Sequence, residues 1–259
     1  MNIKELLSQI DKIIPFNRSE KWDNSGLIIG NDEMIVSNIC LTLDITPEVI
    51  DQATASDCNV IITHHPLIFD PINAIDTSTF VGASIKKTLN NNIAVITLHT
   101  NWDKSGLNNA LASALNLNNI RTLQPNKNEE DRIGVVGELS QTENPGNFLK
   151  IVKDAWNLSH VIFHEAKSKK VFSRVALCGG AGSGLWIDAF YENADVYITS
   201  EVKRHHRLAA LYKGLSIIEI DHYEMESFSL ISLKELLENV IDTNILIINP
   251  STKIRVLTR

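Results

Sequence analysis

Cysteine is scarce in this chain: Cys40, Cys58 and Cys178 are the three among 259 residues, far apart and set in apolar, strand-like runs. That fits reduced core thiols better than a disulfide framework or a thiolate metal site. Long apolar runs are also missing. No segment approaches the roughly 20 residues that a bilayer-spanning helix needs, so no membrane role is expected. Nor is there an excess of positive charge. With 24 Lys+Arg against 31 Asp+Glu, a net charge of -7 and no long run of either sign, a nucleic-acid partner is not expected. The opening MNIKELLSQIDKII mixes charges into a helical pattern and shows no small-residue cleavage site. It does not read as a secretory signal, and the expected compartment is the cytoplasm.

What is present is alternation. Ile3, Leu6, Leu7, Ile10, Ile13 and Ile14 recur at helical spacing before Pro15, predicting an amphipathic first helix. After the loop WDNSG, VSNICLTL reads as a strand. Thr46-Pro47-Glu48 then supplies an N-cap, a proline at the first helical position and an acid in the first turn of a helix over 47–56. Strand-like NVIIT (59–63), a helical stretch at 81–91, IAVIT (93–97) and helical GLNNALASALNL (106–117) follow. The second half repeats the plan, with strands near 132–139, 171–178, 195–199 and 215–220. Its helices are expected near 147–157, 184–193, 203–213 and 226–239. The fold class is therefore α/β, with parallel or mixed sheets flanked by helices. The polar stretch 124–132, QPNKNEEDR, reads as a link between two lobes.

In open α/β sheets, ligands gather beyond the carboxyl ends of strands. Three groups of metal-type side chains fall there. NVIIT delivers His64 and His65, IAVIT delivers His99 and Asp103, and LSIIEID delivers His222 with Glu226 four residues later. Adjacent residues on extended backbone point to opposite sides, so His64 and His65 are expected to reach different ions rather than clasp one. If the chain turns helical after Asp221, His222 and Glu226 at i,i+4 share one face. Imidazole nitrogen with carboxylate oxygen suits Zn, Mn, Fe, Co or Ni, and the shortage of carboxylates argues against Ca.

Each piece alone has a plainer reading. A His-His pair is more often a turn or surface feature, and chance produces many HxxxD and HxxxE spacings. The shared architectural position of all three groups raises the estimate. His160, His164, His205 and His206 lack that position and stay outside the metal shell. Gly179-Gly180-Ala181-Gly182-Ser183-Gly184 follows a strand and opens a helix, where amides can cradle a phosphate. It matches no specific nucleotide motif, and a tight, crowded turn is the better reading. Lys203, Arg204 and Arg207 read as a solvated helix face.

Taken in order, WDNSGLIIG, ITHHPLIF, LHTNWDKSGLNNALA, VALCGGAGSG, ITSEVKRHH and DHYEMESF resemble the Nif three-like family, also known as GTP cyclohydrolase 1 type 2 homologs. The resemblance runs from about residue 20 to 230. It implies two divalent transition-metal ions held by His64, His65, Asp103, His222 and Glu226, with Glu226 as the bridge. His99 is implied to lie beside them, as an extra ligand or behind the ligands. The same resemblance implies two α/β lobes facing each other across a metal cleft, here roughly 1–123 with 222–259, and 132–221. It further implies a homohexamer in many members. Ser200 and Asp221 stand where glycines are common, and Trp102 is bulkier than the usual aliphatic.

Two ions about 3.5 to 4 Å apart predict hydrolytic chemistry. The family name implies hydrolytic opening of the GTP imidazole ring with release of formate, so a small-molecule substrate, a nucleotide, is the expected partner. A phosphoester or nucleotide hydrolase is the second enzymatic reading. A non-enzymatic metal-insertion or regulatory assembly is the third.

Overall fold

The computed structural model describes residues 1–124, 126–128, 132–167 and 170–250. Among the described residues the chain divides into two compact units, 1–105 with 230–250, and 106–229.

The first unit opens with α1 (Ile3–Ile13), whose start is a reciprocal cap: Asn2 Oδ1 accepts from the Glu5 N–H and the Glu5 carboxylate accepts from the Asn2 N–H. Its periodic face buries Ile3, Leu6 and Ile10. A five-stranded sheet follows in the order β1 (Gly26–Ile29), β4 (Ala94–Thr97), β3 (Cys58–Thr63), β2 (Asn38–Thr42), β11 (Ile245–Ile247). All neighbouring pairs are parallel except β1 with β4. Parallel neighbours need crossovers. They are α2 (Pro47–Ala55), capped by Thr46, and α3 (Phe80–Asn90), capped by Thr79. Val60, Ile61 and Ile62 are consecutive yet all fully buried, so β3 is covered on both faces. Val49, Ile50 and Ala53 of α2 and Ile85 of α3 pack with Cys40, Ile61 and Val95 in one cluster.

Because β2, β3 and β4 run parallel, the segments that follow them leave the same edge of the sheet. These segments carry Asp44, His64–His65 and His99. Backbone bonds continue beyond the strand ends, from His64 N–H to Thr42 O (3.1 Å) and from His65 N–H to Leu43 O (2.9 Å), and they pin this edge. After β4 the chain enters a helical turn, α4 (Thr100–Trp102), then a π-helical turn at Asp103–Leu107 and α5 (Asn108–Ala114).

The second unit holds a six-stranded sheet in the order β5 (Asn118–Thr122), β6 (Val135–Glu143), β8 (Phe172–Leu177), β9 (Val196–Ser200), β10 (Ser216–Ile220), β7 (Ile162–His164). β8, β9 and β10 are parallel, and the other three are antiparallel to their neighbours. The unit's helices are α6 (Pro145–Ala155), α7 (Trp186–Tyr191) and α8 (Arg204–Tyr212). The loops leaving β8, β9 and β10 carry Gly180, Glu201 and His222. α9 (His222–Glu238) starts directly after β10, because Asp221 Oδ1 accepts the Glu224 N–H (3.0 Å) as an N-cap. That gives a physical reason for an aspartate before His222.

The alternation and the α/β class stand as expected, with two sheets flanked by helices. Several particulars differ. The short strands β1, β5, β7 and β11 carry too little local pattern to be recognised. β5 pairs with β6, although the expected first lobe included it. His222 and Glu226 fall in the second unit, whereas the expected boundary lay before residue 222. Part of the proposed link 124–132 lies outside the described residues. No helix among the described residues is long and apolar enough to cross a membrane.

Candidate metal centre

Three histidines meet in the first unit. His64, His65 and His99 each offer a ring nitrogen, and the three nitrogens lie within 4.8 Å of one another. The ring centroids are 4.9 Å (His64–His65), 5.2 Å (His64–His99) and 5.8 Å (His65–His99) apart. The chain bends at both residues, and the bend turns the two rings toward each other.

Every ring is held at the same atom. His64 Nδ1 donates to Leu98 O at 2.9 Å, His65 Nδ1 to Asp44 Oδ1 at 2.8 Å, and His99 Nδ1 to Asp23 Oδ1 at 2.7 Å. A carbonyl or carboxylate oxygen can only accept, so each Nδ1 carries the proton and Nε2 is the basic nitrogen, able to take a cation or a proton. This is the arrangement of metal-ligating histidines, in which an oxygen behind the ring fixes tautomer and orientation. His64 is 1% exposed, and its Nε2 lies 3.6 Å from Asp103 Oδ1.

The Asp23 side chain is fully buried and serves both His99 and the turn after it, accepting from the Thr100 N–H (3.0 Å) and the Thr100 hydroxyl. Burial works against its charge, but the hydrogen bonds from His99 and Thr100 outweigh it and hold the carboxyl well below the usual range. Beside His65, a cavity of about 280 Å³ is lined by Asp44, Ile45, Thr46, Leu67 and Phe80, among others.

The second unit carries a histidine–carboxylate pair. His222 Nε2 lies 3.0 Å from Glu226 Oε2, one helical turn along α9, as the i,i+4 spacing predicts. Two donors that share an ion at tetrahedral bond lengths sit about 3 to 3.4 Å apart. His222 again has an oxygen on Nδ1: Glu201 Oε1, at 2.8 Å. Glu226 is 3% exposed and rests against the glycine loop, where a Cβ on Gly180 would stand 2.4 Å from Glu226 Oε1. Gly180 also has φ +67°, which favours glycine. The loop is a crowded turn, as expected; a Cβ on Gly179 would stand 2.2 Å from Leu107.

The remaining histidines have other partners. His164 pairs with Glu219 (3.0 Å), His206 with Ser183 Oγ (2.8 Å) and His160 with Ser159 Oγ (2.9 Å), while His205 meets His206 edge-on. Lys203 and Arg204 are exposed and Arg207 is half-buried. Sequence reasoning missed the carboxylates behind the rings: Asp23, Asp44 and Glu201. Asp23 and Glu201 lie inside segments that carry the family resemblance, but Asp44 has no signal of its own. The donor set of neutral imidazole and carboxylate, with the rings anchored from behind, fits a divalent transition metal.

The sequence model of the Duf34/NIF3 (NGG1p interacting factor 3) family matches residues 1–253. Among curated relatives, a GTP cyclohydrolase 1 type 2 homolog from Campylobacter jejuni is 32% identical over 243 residues, covering 93% of each chain. One of the same description from Clostridium perfringens is 30% identical over 248 residues, 95% of this chain and 94% of that protein. Among solved structures, a Staphylococcus aureus hypothetical protein is similar at TM-score 0.86 and 29% identity, covering 97% of both chains. Reduced HcgD from Methanocaldococcus jannaschii is similar at TM-score 0.81 and 29% identity, covering 95% of this chain and 96% of that one.

Proposed function

Because this chain belongs to the Duf34/NIF3 family, we propose that it is a metal-dependent hydrolase with two divalent transition-metal ions per chain. The ligands in this reading are His64, His65, Asp103, His222 and Glu226, with the Glu226 carboxylate as the bridge. The observation that carries it is the common anchoring of the imidazoles. Nδ1 of His64, His65, His99 and His222 each meets an oxygen, so each Nε2 is presented in one defined direction. Rings that served only packing would have no reason to share a tautomer.

When bound, a pair of divalent ions lowers the pKa of a water and offsets negative charge developing on the attacked group. The chain's own residues supply the rest. His99, backed by buried Asp23, is the group assigned to hold and pass a proton at Nε2, since a carboxylate on Nδ1 stabilises the imidazolium that forms. Asp44 and Glu201 keep His65 and His222 in place. The relatives' name, GTP cyclohydrolase 1 type 2 homolog, supports a nucleotide as the substrate class.

The test is to load the protein with Zn, Mn, Fe, Co or Ni, determine ions per chain, and incubate it with nucleotides and phosphoesters. Mass spectrometry then identifies products. Two ions per chain and a hydrolysed nucleotide are expected. Two ions with no product from any substrate would overturn the hydrolase reading, and failure to retain metal would overturn the centre itself. His99→Gln is expected to keep both ions while losing turnover, which separates the proton carrier from the ligands.

A further inference from the structure

Two large aromatic rings stand in solvent beside the histidine cluster of the first unit. Trp22 is 60% exposed and Phe69 52%, with centroids 5.7 Å apart and planes at 46°. Each also meets His99 nearly edge-on, Trp22 at 6.0 Å and 76°, Phe69 at 6.2 Å and 69°. Rings of this size normally contribute their burial to a core or an interface, so a pair left open needs an occupant.

The backbone around the pair is tied down. The Glu20 N–H donates to Thr100 Oγ1 (2.9 Å), and the Asp23 carboxylate holds His99 and Thr100, which fixes the chain on both sides of Trp22. Asn24 Nδ2 donates to Ile68 O at 2.6 Å, tying the Trp22 loop to the residue before Phe69. The two rings thus pack against each other on one cross-linked frame beside His99.

We infer that Trp22 and Phe69 form a one-sided aromatic clamp: a planar nitrogen heterocycle of nucleobase size stacks on the exposed face of Trp22 with its edge toward His99, while Phe69, in tilted contact with the indole, holds that face in place. An exposed indole face suits a flat π-system, whereas an aliphatic chain prefers a concave apolar cavity. A ring whose edge faces imidazole needs polar atoms in its plane, and heterocycles have them. Stacking of this kind tolerates different bases because each presents a π-face. The inference rests on the proposed reading in taking His64, His65 and His99 as the reacting side of the site.

Trp22 is its own probe. The chain has four tryptophans, of which Trp102 and Trp156 are 2% exposed and Trp186 is half-buried. Guanosine and adenosine are titrated into metal-loaded and metal-stripped protein, with ribose as the control, while tryptophan emission is followed at the red edge of absorption. Equilibrium dialysis gives Kd. Saturable quenching by both nucleosides and none by ribose is expected. Trp22→Ala or Phe69→Ala should raise Kd about tenfold or more, Trp22→Phe should retain most of the affinity, and bound metal should stay unchanged. Equal binding of ribose, or an unchanged Kd in Trp22→Ala, would overturn the clamp. So would Trp22 emission that follows protein concentration and ignores nucleosides, since a second copy of the chain would then cover the rings. Nucleoside binding without retained metal sinks the two-metal reading and leaves the clamp. Two retained ions without nucleoside binding sink the clamp alone.

Discussion

The Glu201 carboxylate stands 2.8 Å from Nδ1 of His222, and it reaches there from a backbone at φ +51°, a conformation that side-chain-bearing residues rarely adopt. The turn is held by its neighbours: the Val202 N–H donates to Glu219 Oε1 and the Lys203 N–H to Ser183 Oγ, both at 3.0 Å. Strain and function are expected to separate on substitution. Glu201→Gly should stabilise the metal-free protein by about 1 kcal/mol by relieving the left-handed backbone, while lowering metal affinity about 10- to 100-fold. Glu201→Gln keeps an accepting oxygen and should lose less affinity. Thermal melts of apoprotein and competition against a chelating dye measure the two effects. A Glu201→Gly variant with native metal affinity would remove Glu201 from the site.

Glu226 is expected to be the most sensitive ligand. An amide has no charge and one good oxygen for a cation, so Glu226→Gln should weaken both ion positions together. His64→Ala and His65→Ala should each mainly empty one. Metal content per chain after identical reconstitution separates the cases, and two tightly held ions in Glu226→Gln would end the bridging assignment.

Gly180→Ala would push against the Glu226 carboxylate and place a side chain at φ +67°. The expected cost is about 1 to 2 kcal/mol of stability from the backbone, with reduced metal affinity because the carboxylate must move. Urea unfolding and metal titration of the variant are the measurements. Unchanged metal affinity would show that Glu226 does not need its present position.

Burial, with Cys58 as a second contributor, pushes the Cys40 thiol up to about 12 from 9.0. The folded value lies above the unfolded one, so this contribution to stability is complete below pH 9.0 and is lost as pH rises toward 12. Cys40 should resist iodoacetamide in native protein at pH 8 and react on unfolding. Peptide mapping of the alkylated residue checks this, and fast native labelling of Cys40 would contradict it.

Light scattering should give a native mass well above the 28.9 kDa of one chain, a ring of six being the arrangement the family resemblance implies. A monomer at micromolar concentration would exclude the ring.

Local pattern was enough for the elements that carry the candidate ligands. NVIIT and IAVIT became β3 and β4, and the i,i+4 spacing of His222 and Glu226 brought both onto one turn of α9. Donor types and their places at strand ends are likewise properties of the chain read in order. Strands of three to five residues such as β1, β5, β7 and β11 escaped, because their stability lies in pairing with strands remote in sequence.

What only the tertiary structure decided is which nitrogen each histidine presents. Asp23 is 76 residues from His99, and Asp44 and Glu201 are each 21 residues from the rings they hold. No periodicity links such pairs. A hydrogen bond formed by folding places the proton on Nδ1, and that choice makes a scatter of histidines into oriented donors. The bend at His64–His65 is of the same kind: the alternation of an extended strand ends where ladder bonds to Thr42 and Leu43 redirect the chain.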